Sequence, residues 1–198
     1  MSHIDKYLHS MLAVCPDIQM SDLDEFKTHL EVKRFKKKEH LFDLNDYHNH
    51  VVFISSGLVQ SYYIDQKGEE KTAWFIDENG FVTDYPCFLN EAKSYYAFQC
   101  LEPVESVWLP KKAIYESYER YPAVQKYGRL IAEEILKIQQ LRIESLLFNS
   151  SKQRYVEFLE NYPAMIPRIS QKHMASFIGI ERQSLTRIRK EILSDAKS

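Results

Sequence analysis

Cysteine is scarce in this chain, and what there is does not pair. Cys15, Cys87 and Cys100 are widely separated and odd in number, which excludes a disulfide scaffold and offers no pair at zinc-ligand spacing. No apolar run approaches the ~20 residues that cross a bilayer. The opening MSHIDKYLHSML lacks the basic start and long apolar core of a secretory signal, so the expected location is the cytoplasm. A glycine-rich phosphate loop, a nucleophile elbow and a Cys–His pairing in recognisable context are all missing as well. The histidines His3, His9, His29, His40, His48, His50 and His173 are scattered. His48 and His50 alternate as cupin metal ligands do, but without a matching downstream His or Glu they read as loop residues, and no metal is expected. These absences argue against an enzyme.

A large excess of charge is missing too. The 198 residues carry 26 Lys and Arg against 28 Asp and Glu, a net charge of −2 with pI near 6.4, so the chain is no polycation. With 44% hydrophobic and 27% charged residues it has the composition of an ordinary globular protein of one large or two small domains. The charge is nevertheless uneven. Between residues 168 and 192 stand Arg168, Lys172, Arg182, Arg187, Arg189 and Lys190 against only Glu181 and Glu191, a local balance of about +4 that favours nucleic acid as partner.

That segment, ISQKHMASFIGIERQSLTRIRKEI, reads as two helices joined by a tight turn, a helix-turn-helix. Ser170 is a plausible N-cap of a first helix running to about Phe177. Gly179 suits a positive-φ turn, and the second helix starts near Glu181. Met174, Ile178, Ile180, Leu185 and Ile188 are spaced to form the small core, with Ala175 allowing close approach. Arg182, Gln183, Thr186, Arg187 and Lys190 share the opposite face and have the chemistry that reads base edges and phosphates. Ser170, Lys172 and Ser184 complete the expected DNA-contacting set.

Upstream, residues 3 to about 30 read as helical, broken by Pro16, with Ser21 as a second cap. From Val32 the pattern changes to short β-branched and aromatic runs: VKRFKKKEHLF, VVFISSGLVQSYYID, KTAWFI, Ser94–Cys100 and Val104–Leu109. Asp65-Gln66-Lys67-Gly68 is a hairpin turn between two of them. The series predicts an antiparallel barrel or jelly roll. The basic run Arg34, Lys36, Lys37, Lys38 is expected on the solvated face of an edge strand. After a short helix, KKAIYESYERY, Pro122 opens one long helix to about Phe148. On it Val124, Tyr127, Ile131, Ile135, Ile138 and Leu141 recur at steps near 3 and 4, a coiled-coil-like seam for a second copy. Ser150 and Gln153 form a capping box for a helix reaching Asn161.

On these residues, chiefly the Arg182-Gln183 pair and Arg187 of the second helix, the chain resembles the Crp/Fnr family of bacterial transcription regulators, in particular its divergent Bacteroidetes-like branch. The resemblance implies an α+β architecture in three parts: an effector β-barrel domain over residues 1–121, a double-stranded β-helix like a cyclic-nucleotide-binding domain; a dimerisation helix over 122–148; and a helix-turn-helix domain over 149–198. It implies a homodimeric, sequence-specific regulator that binds an inverted-repeat operator in double-stranded DNA, contacts RNA polymerase, and takes an unidentified small-molecule effector or none. The lone Cys15 does not match an iron–sulfur cluster. The effector pocket is expected between Asn79 and Ala97, with Gly80, Asp84, Tyr85, Tyr95 and Tyr96. Where cyclic-nucleotide sensors carry an Arg-Ser pair for the phosphate, this chain reads Ser94-Tyr95-Tyr96-Ala97, with Lys93 only a loosely placed substitute, so cyclic AMP is not the expected ligand. The aromatic residues there, Phe88 and Phe98 included, either line a different pocket or pack the barrel. Family members have a β-hairpin wing beside the helix-turn-helix; with the second helix close to Ser198, only residues 163–170 remain for one. The alternative is a sensor or interaction module of the same fold that has lost DNA binding.

Overall fold

The computed structural model describes residues 1–195. Helix α1 (His3–Val14), a 3₁₀ turn at Met20–Leu23 and α2 (Asp24–Thr28) come first. Strands β1 (Glu31–Phe35), β2 (His40–Phe42), β3 (His50–Ser56), β4 (Val59–Ile64), β5 (Glu70–Ile76) and β6 (Phe81–Val82) follow, then helix α3 (Tyr85–Asn90) and strands β7 (Ala97–Cys100) and β8 (Val104–Pro110). The rest is helical: α4 (Lys111–Arg120), α5 (Pro122–Phe148), α6 (Ser151–Asn161), a 3₁₀ turn at Ile166–Arg168, α7 (Gln171–Ile178) and α8 (Arg182–Asp195). Among the described residues no helix is long and apolar enough to cross a membrane.

Local chemistry explains most boundaries. Ser2 and Asp5 cap α1 reciprocally. Ser21 does not cap as expected: it lies inside the 3₁₀ turn, and Asp22 holds the start by accepting the Gln19 N–H (3.1 Å). VKRFKKKEHLF is two strands rather than one, because Lys38 takes a positive φ of 75° and the Glu39 carboxylate accepts the Lys36 N–H (2.7 Å), closing a turn. Arg34 therefore lies on edge strand β1, paired to Glu105 at 3.0 Å, while Lys36, Lys37 and Lys38 occupy the turn. The Asp65–Gly68 hairpin forms as expected, with Asp65 Oδ1 accepting the Lys67 and Glu69 N–H groups (2.8 and 2.9 Å) and Gly68 at φ 80°.

The strands build two antiparallel four-stranded sheets, ordered β1-β8-β3-β6 and β2-β7-β4-β5. Alternation along β3 and β8 gives each face its own core. Val52, Ile54, Val104 and Trp108 point between the sheets and meet Leu41, Phe42, Val59, Val82, Phe98 and Cys100. Phe53, Val107 and Leu109 point outward, under a helical layer of Tyr7, Leu8, Met11, Phe26, Ile114, Val124 and Tyr127. The third core joins the two halves of the chain. Phe75 of β5, with Leu58 and Leu101 in the β3–β4 and β7–β8 turns, packs against Tyr155, Phe158, Met165, Met174, Phe177, Ile178, Leu185 and Ile188. All three cysteines are buried and free. Desolvation pushes the Cys87 thiol up to about 11 and that of Cys100 to about 12, so both stay protonated and unreactive at neutral pH.

The long helix departs from the expected seam. Val124 (1% exposed) and Tyr127 (6%) are buried in the first core, and Ile131 packs against it, so this face of α5 belongs to its own chain. Ile138 is half-buried, while Ile135 and Leu141 are exposed. A different stripe faces outward: Ala132, Leu136, Gln139, Ile143 and Leu146 are all exposed, at alternating steps of four and three.

Candidate nucleic-acid interface

The site is built on α7, a turn and α8. The Ser170 hydroxyl accepts the His173 N–H (3.1 Å) and caps α7. At the other end Gly179 takes φ 77°, and the Gly179 and Ile180 amides return to the carbonyls of Ser176 and Ala175 (both 3.0 Å). Two cations finish this terminus. Arg142 of α5 donates to the Phe177 carbonyl while lying over the Phe177 ring, and Arg154 of α6 donates to the Ile178 carbonyl (2.8 Å) and to that of Asn149 (2.6 Å). Positive charge here opposes the negative end of the α7 dipole, so α5 and α6 fix where the turn points. Desolvation lowers the Arg142 pKa, although the guanidinium stays charged at any physiological pH.

Met174, Ala175, Ile178, Leu185 and Ile188 are buried between α7 and α8, and Ile180 packs against them. This leaves Arg182, Gln183, Thr186, Arg187 and Lys190 exposed on one face of α8, with Lys172 exposed on α7. Ser184 is half-buried on the flank of that face. Arg189, outside the expected set, is also exposed, seven residues after Arg182 and on the same side of α8. Thr186 donates its hydroxyl proton to the Arg182 carbonyl (3.1 Å), leaving the oxygen as an acceptor. Residues 163–170 form a 3₁₀ turn rather than a hairpin, so they supply no wing.

The expected effector residues lie in different environments. Asp84 is buried and occupied: its carboxylate accepts from the Ser94 hydroxyl (2.7 Å) and caps α3 by accepting the Cys87 N–H (3.4 Å), and its own N–H donates to His48 Nδ1 (3.0 Å). Tyr85 and Tyr95 are exposed, at 51% and 82%, and Tyr96 sits at the margin. Gly80 turns tightly under Ile76, where a Cβ would lie 2.6 Å from the Ile76 side chain. Phe88 and Phe98 are packed in two different cores. Lys93 pairs in an isolated bridge with Tyr47 and extends over its ring at 6.0 Å. His50 opens β3 rather than lying in a loop, whereas His48 does lie in the β2–β3 loop. It is 2% exposed, stacks on Phe42 with ring centroids 4.0 Å apart, and desolvation lowers its pKa. Its Nδ1 accepts, so the proton is on Nε2, which has no partner. Among the described residues, no three His, Cys, Asp or Glu side chains are grouped to hold a metal ion.

The sandwich and the helix-turn-helix each have known counterparts. Residues 32–121 match the family model described as the cyclic nucleotide-binding domain. The chain as a whole has the fold of Crp/Fnr-type transcription regulators. It is similar to CLP of Xanthomonas campestris, a c-di-GMP-responsive global regulator, with a TM-score of 0.71 at 15% identity over 90% of this chain and 93% of that one. A protein from Eubacterium rectale, a candidate transcriptional regulator of the crp/fnr family, gives 0.71 at 14% identity over 91% and 86%. The Thermus thermophilus catabolite activator protein gives 0.55 at 16% identity over 90% and 85%. No curated protein matches the chain by sequence.

Proposed function

We propose that this protein is a homodimeric, sequence-specific DNA-binding transcription regulator whose barrel domain does not take cyclic AMP. The observation that carries the reading is the row Arg182, Gln183, Thr186, Arg187 and Lys190, exposed on the second helix of a capped and packed helix-turn-helix. Arg can bond guanine with two parallel hydrogen bonds, Gln can do the same to adenine, and Lys and hydroxyl groups reach phosphates. Two copies joined through α5 would present two such helices about 34 Å apart, to successive major grooves of an inverted repeat. RNA polymerase as a further partner, and a location in the cytoplasm, belong to the same reading.

The test is selection of binding sites from a random duplex library at near-physiological salt. An enriched inverted repeat with half-sites about one helical turn apart is the expected result. Replacing Arg182 or Arg187 by Ala should then weaken the selected site by about 1–3 kcal/mol and relax the preference at one base pair per half-site. Equal weakening on every sequence would make that arginine a phosphate contact. No enrichment, with or without cell extract, would sink the reading in favour of a sensor module without DNA binding.

Rejection of cyclic AMP rests on the interior. Lys93 lies over Tyr47 and Ser94 is bonded to the Asp84 carboxylate, itself an anion, so a cyclic phosphate would enter without a countercharge, at a cost of several kcal/mol. Thermal melting with millimolar cyclic AMP is expected to superimpose on the melt without it. A saturable rise in Tm would overturn this part of the proposal.

A further inference from the structure

Arg168 belongs by sequence to the basic segment that reads as a DNA footprint, but it is not available to DNA. It sits two residues before Ser170, the N-cap of α7, where a cation would reinforce the phosphate-binding end of a helix. Instead its guanidinium is clasped by two carboxylates of the barrel. Nη1 and Nη2 donate to Glu78 at 3.0 and 2.9 Å, and Nη2 and Nε donate to Glu102 at 2.5 and 3.3 Å. The three side chains are 21%, 34% and 30% exposed, so salt screens them less than it does surface pairs. The two carboxylates raise the Arg168 pKa further above its ordinary value.

The acceptors are rigidly placed. Glu78 lies in the β5–β6 turn and also accepts the Gly57 N–H (2.8 Å) from the β3–β4 turn. Glu102 lies in the β7–β8 turn. Gly57 has φ 99°, and a Cβ there would stand 2.4 Å from the Pro103 carbonyl, so these turns are locked together at one end of the sandwich. A second contact lies along β5. This strand is the edge of its sheet, and its Thr72 N–H donates to the Ser176 hydroxyl of α7 (2.8 Å), which covers an otherwise open edge. The same docking brings the acidic side of the β4–β5 hairpin to the DNA-binding unit: Glu70 acts on His173, and Lys71, already paired to Asp65 and Glu69, also feels Glu181. With Glu78 and Glu102 counted, the local balance of about +4 around the helix-turn-helix falls to about +2.

We infer that Arg168, Glu78 and Glu102 form an interdomain latch that holds the helix-turn-helix against the barrel and withholds Arg168 from DNA phosphates, so that the latched arrangement binds DNA more weakly than the released one. DNA and the two carboxylates compete for one cation. An agent that moved the β5–β6 or β7–β8 turn would tip that competition by population shift. The inference rests on the DNA-binding reading for its consequence, but the latch itself does not.

The test uses the full chain and two readouts, with Glu102→Gln as the main variant because Glu78 has a second duty at Gly57. The Thr72 amide should exchange with solvent faster in Glu102→Gln. Its affinity for the selected operator should rise roughly three- to tenfold at low salt, with a salt slope steeper by about 0.9, the value for one added phosphate contact. Arg168→Gln also opens the latch but removes the cation, so exchange should quicken without the steeper slope. Unchanged exchange in both variants would refute the latch. Faster exchange with equal or weaker operator binding would show that the docked arrangement is the DNA-competent one and overturn the inference. Failure of every variant and of the parent protein to select an operator would count against DNA binding, whatever the exchange data say of the latch.

Discussion

Leu136→Asp is expected to leave a folded monomer that no longer holds its operator. Leu136 is 66% exposed in the single chain, so the substitution removes little internal contact and the circular-dichroism melt of the monomer should change little. In a pair of α5 helices meeting along Ala132, Leu136, Gln139, Ile143 and Leu146, it places two carboxylates face to face across an apolar seam, which removes buried area and adds like-charge repulsion. The effect on DNA is larger than that on association. A dimer engages its second half-site at the high effective concentration set by the first, and that gain is on the order of 10²–10⁴. Light scattering should therefore show a halved mass, and operator affinity should fall by about 100-fold or more. A variant that remains dimeric would move the interface elsewhere. A variant that becomes monomeric yet binds the full operator as tightly as before would mean that the two half-sites are not read together.

Which face of α5 the barrel covers was only half legible in the sequence. Steps of three and four along α5 are satisfied both by Val124, Tyr127, Ile131 and by Ala132, Leu136, Gln139, Ile143; periodicity finds a helix with apolar positions but does not say which face the barrel takes. That is decided by α1 and α4, whose Tyr7 and Tyr118 surround Val124 and Tyr127. The helix-turn-helix was legible because each of its constraints is local: an N-cap at Ser170, a positive-φ glycine at 179, and a core at i, i+4 spacing. The strand order was not, since β1 pairs with β8 and β2 with β7 across the whole length of the barrel. Asp84 is a mixed case: the partners of its carboxylate, the Ser94 hydroxyl and the Cys87 N–H, lie within the Asn79–Ala97 segment, whereas His48, which takes its backbone N–H, lies 36 residues away on another loop. Arg168 is the plainest case: in the chain it is one more cation among six, and only the folded barrel supplies the carboxylates that occupy it.

Phe177→Ala is expected to be the most destabilising single change on the α7 side of the molecule. The ring is 4% exposed. It sits 5.2 Å from Phe75 and 5.9 Å from Trp74 of the barrel, and 5.5 Å from Phe158 and 6.1 Å from Tyr162 of the α6 region. Arg142 covers its face at 3.9 Å. Truncating a buried phenylalanine costs about 3–5 kcal/mol, from lost transfer free energy and the cavity left behind. Here the upper half of that range is expected, because the walls belong to two separately folded layers and cannot close on the gap without moving α7 away from β5. Because this core is what joins the helix-turn-helix to the sandwich, the loss should also be uneven. Urea melts of the parent protein should show one transition by tryptophan fluorescence, through Trp74 and Trp108, and by circular dichroism. In Phe177→Ala the helical signal and the Trp74 signal should fall first, while the Trp108 environment between the sheets persists to higher urea; removing Trp74 or Trp108 singly by Phe assigns the two signals. Phe177→Leu, which keeps most of the volume, should retain a single transition. If Phe177→Ala costs under about 1 kcal/mol, or unfolds with both probes in step, then the contact between α7 and β5 is not what couples the DNA-binding unit to the barrel, and the Arg168 clasp with the α5 arginine would have to carry that coupling alone.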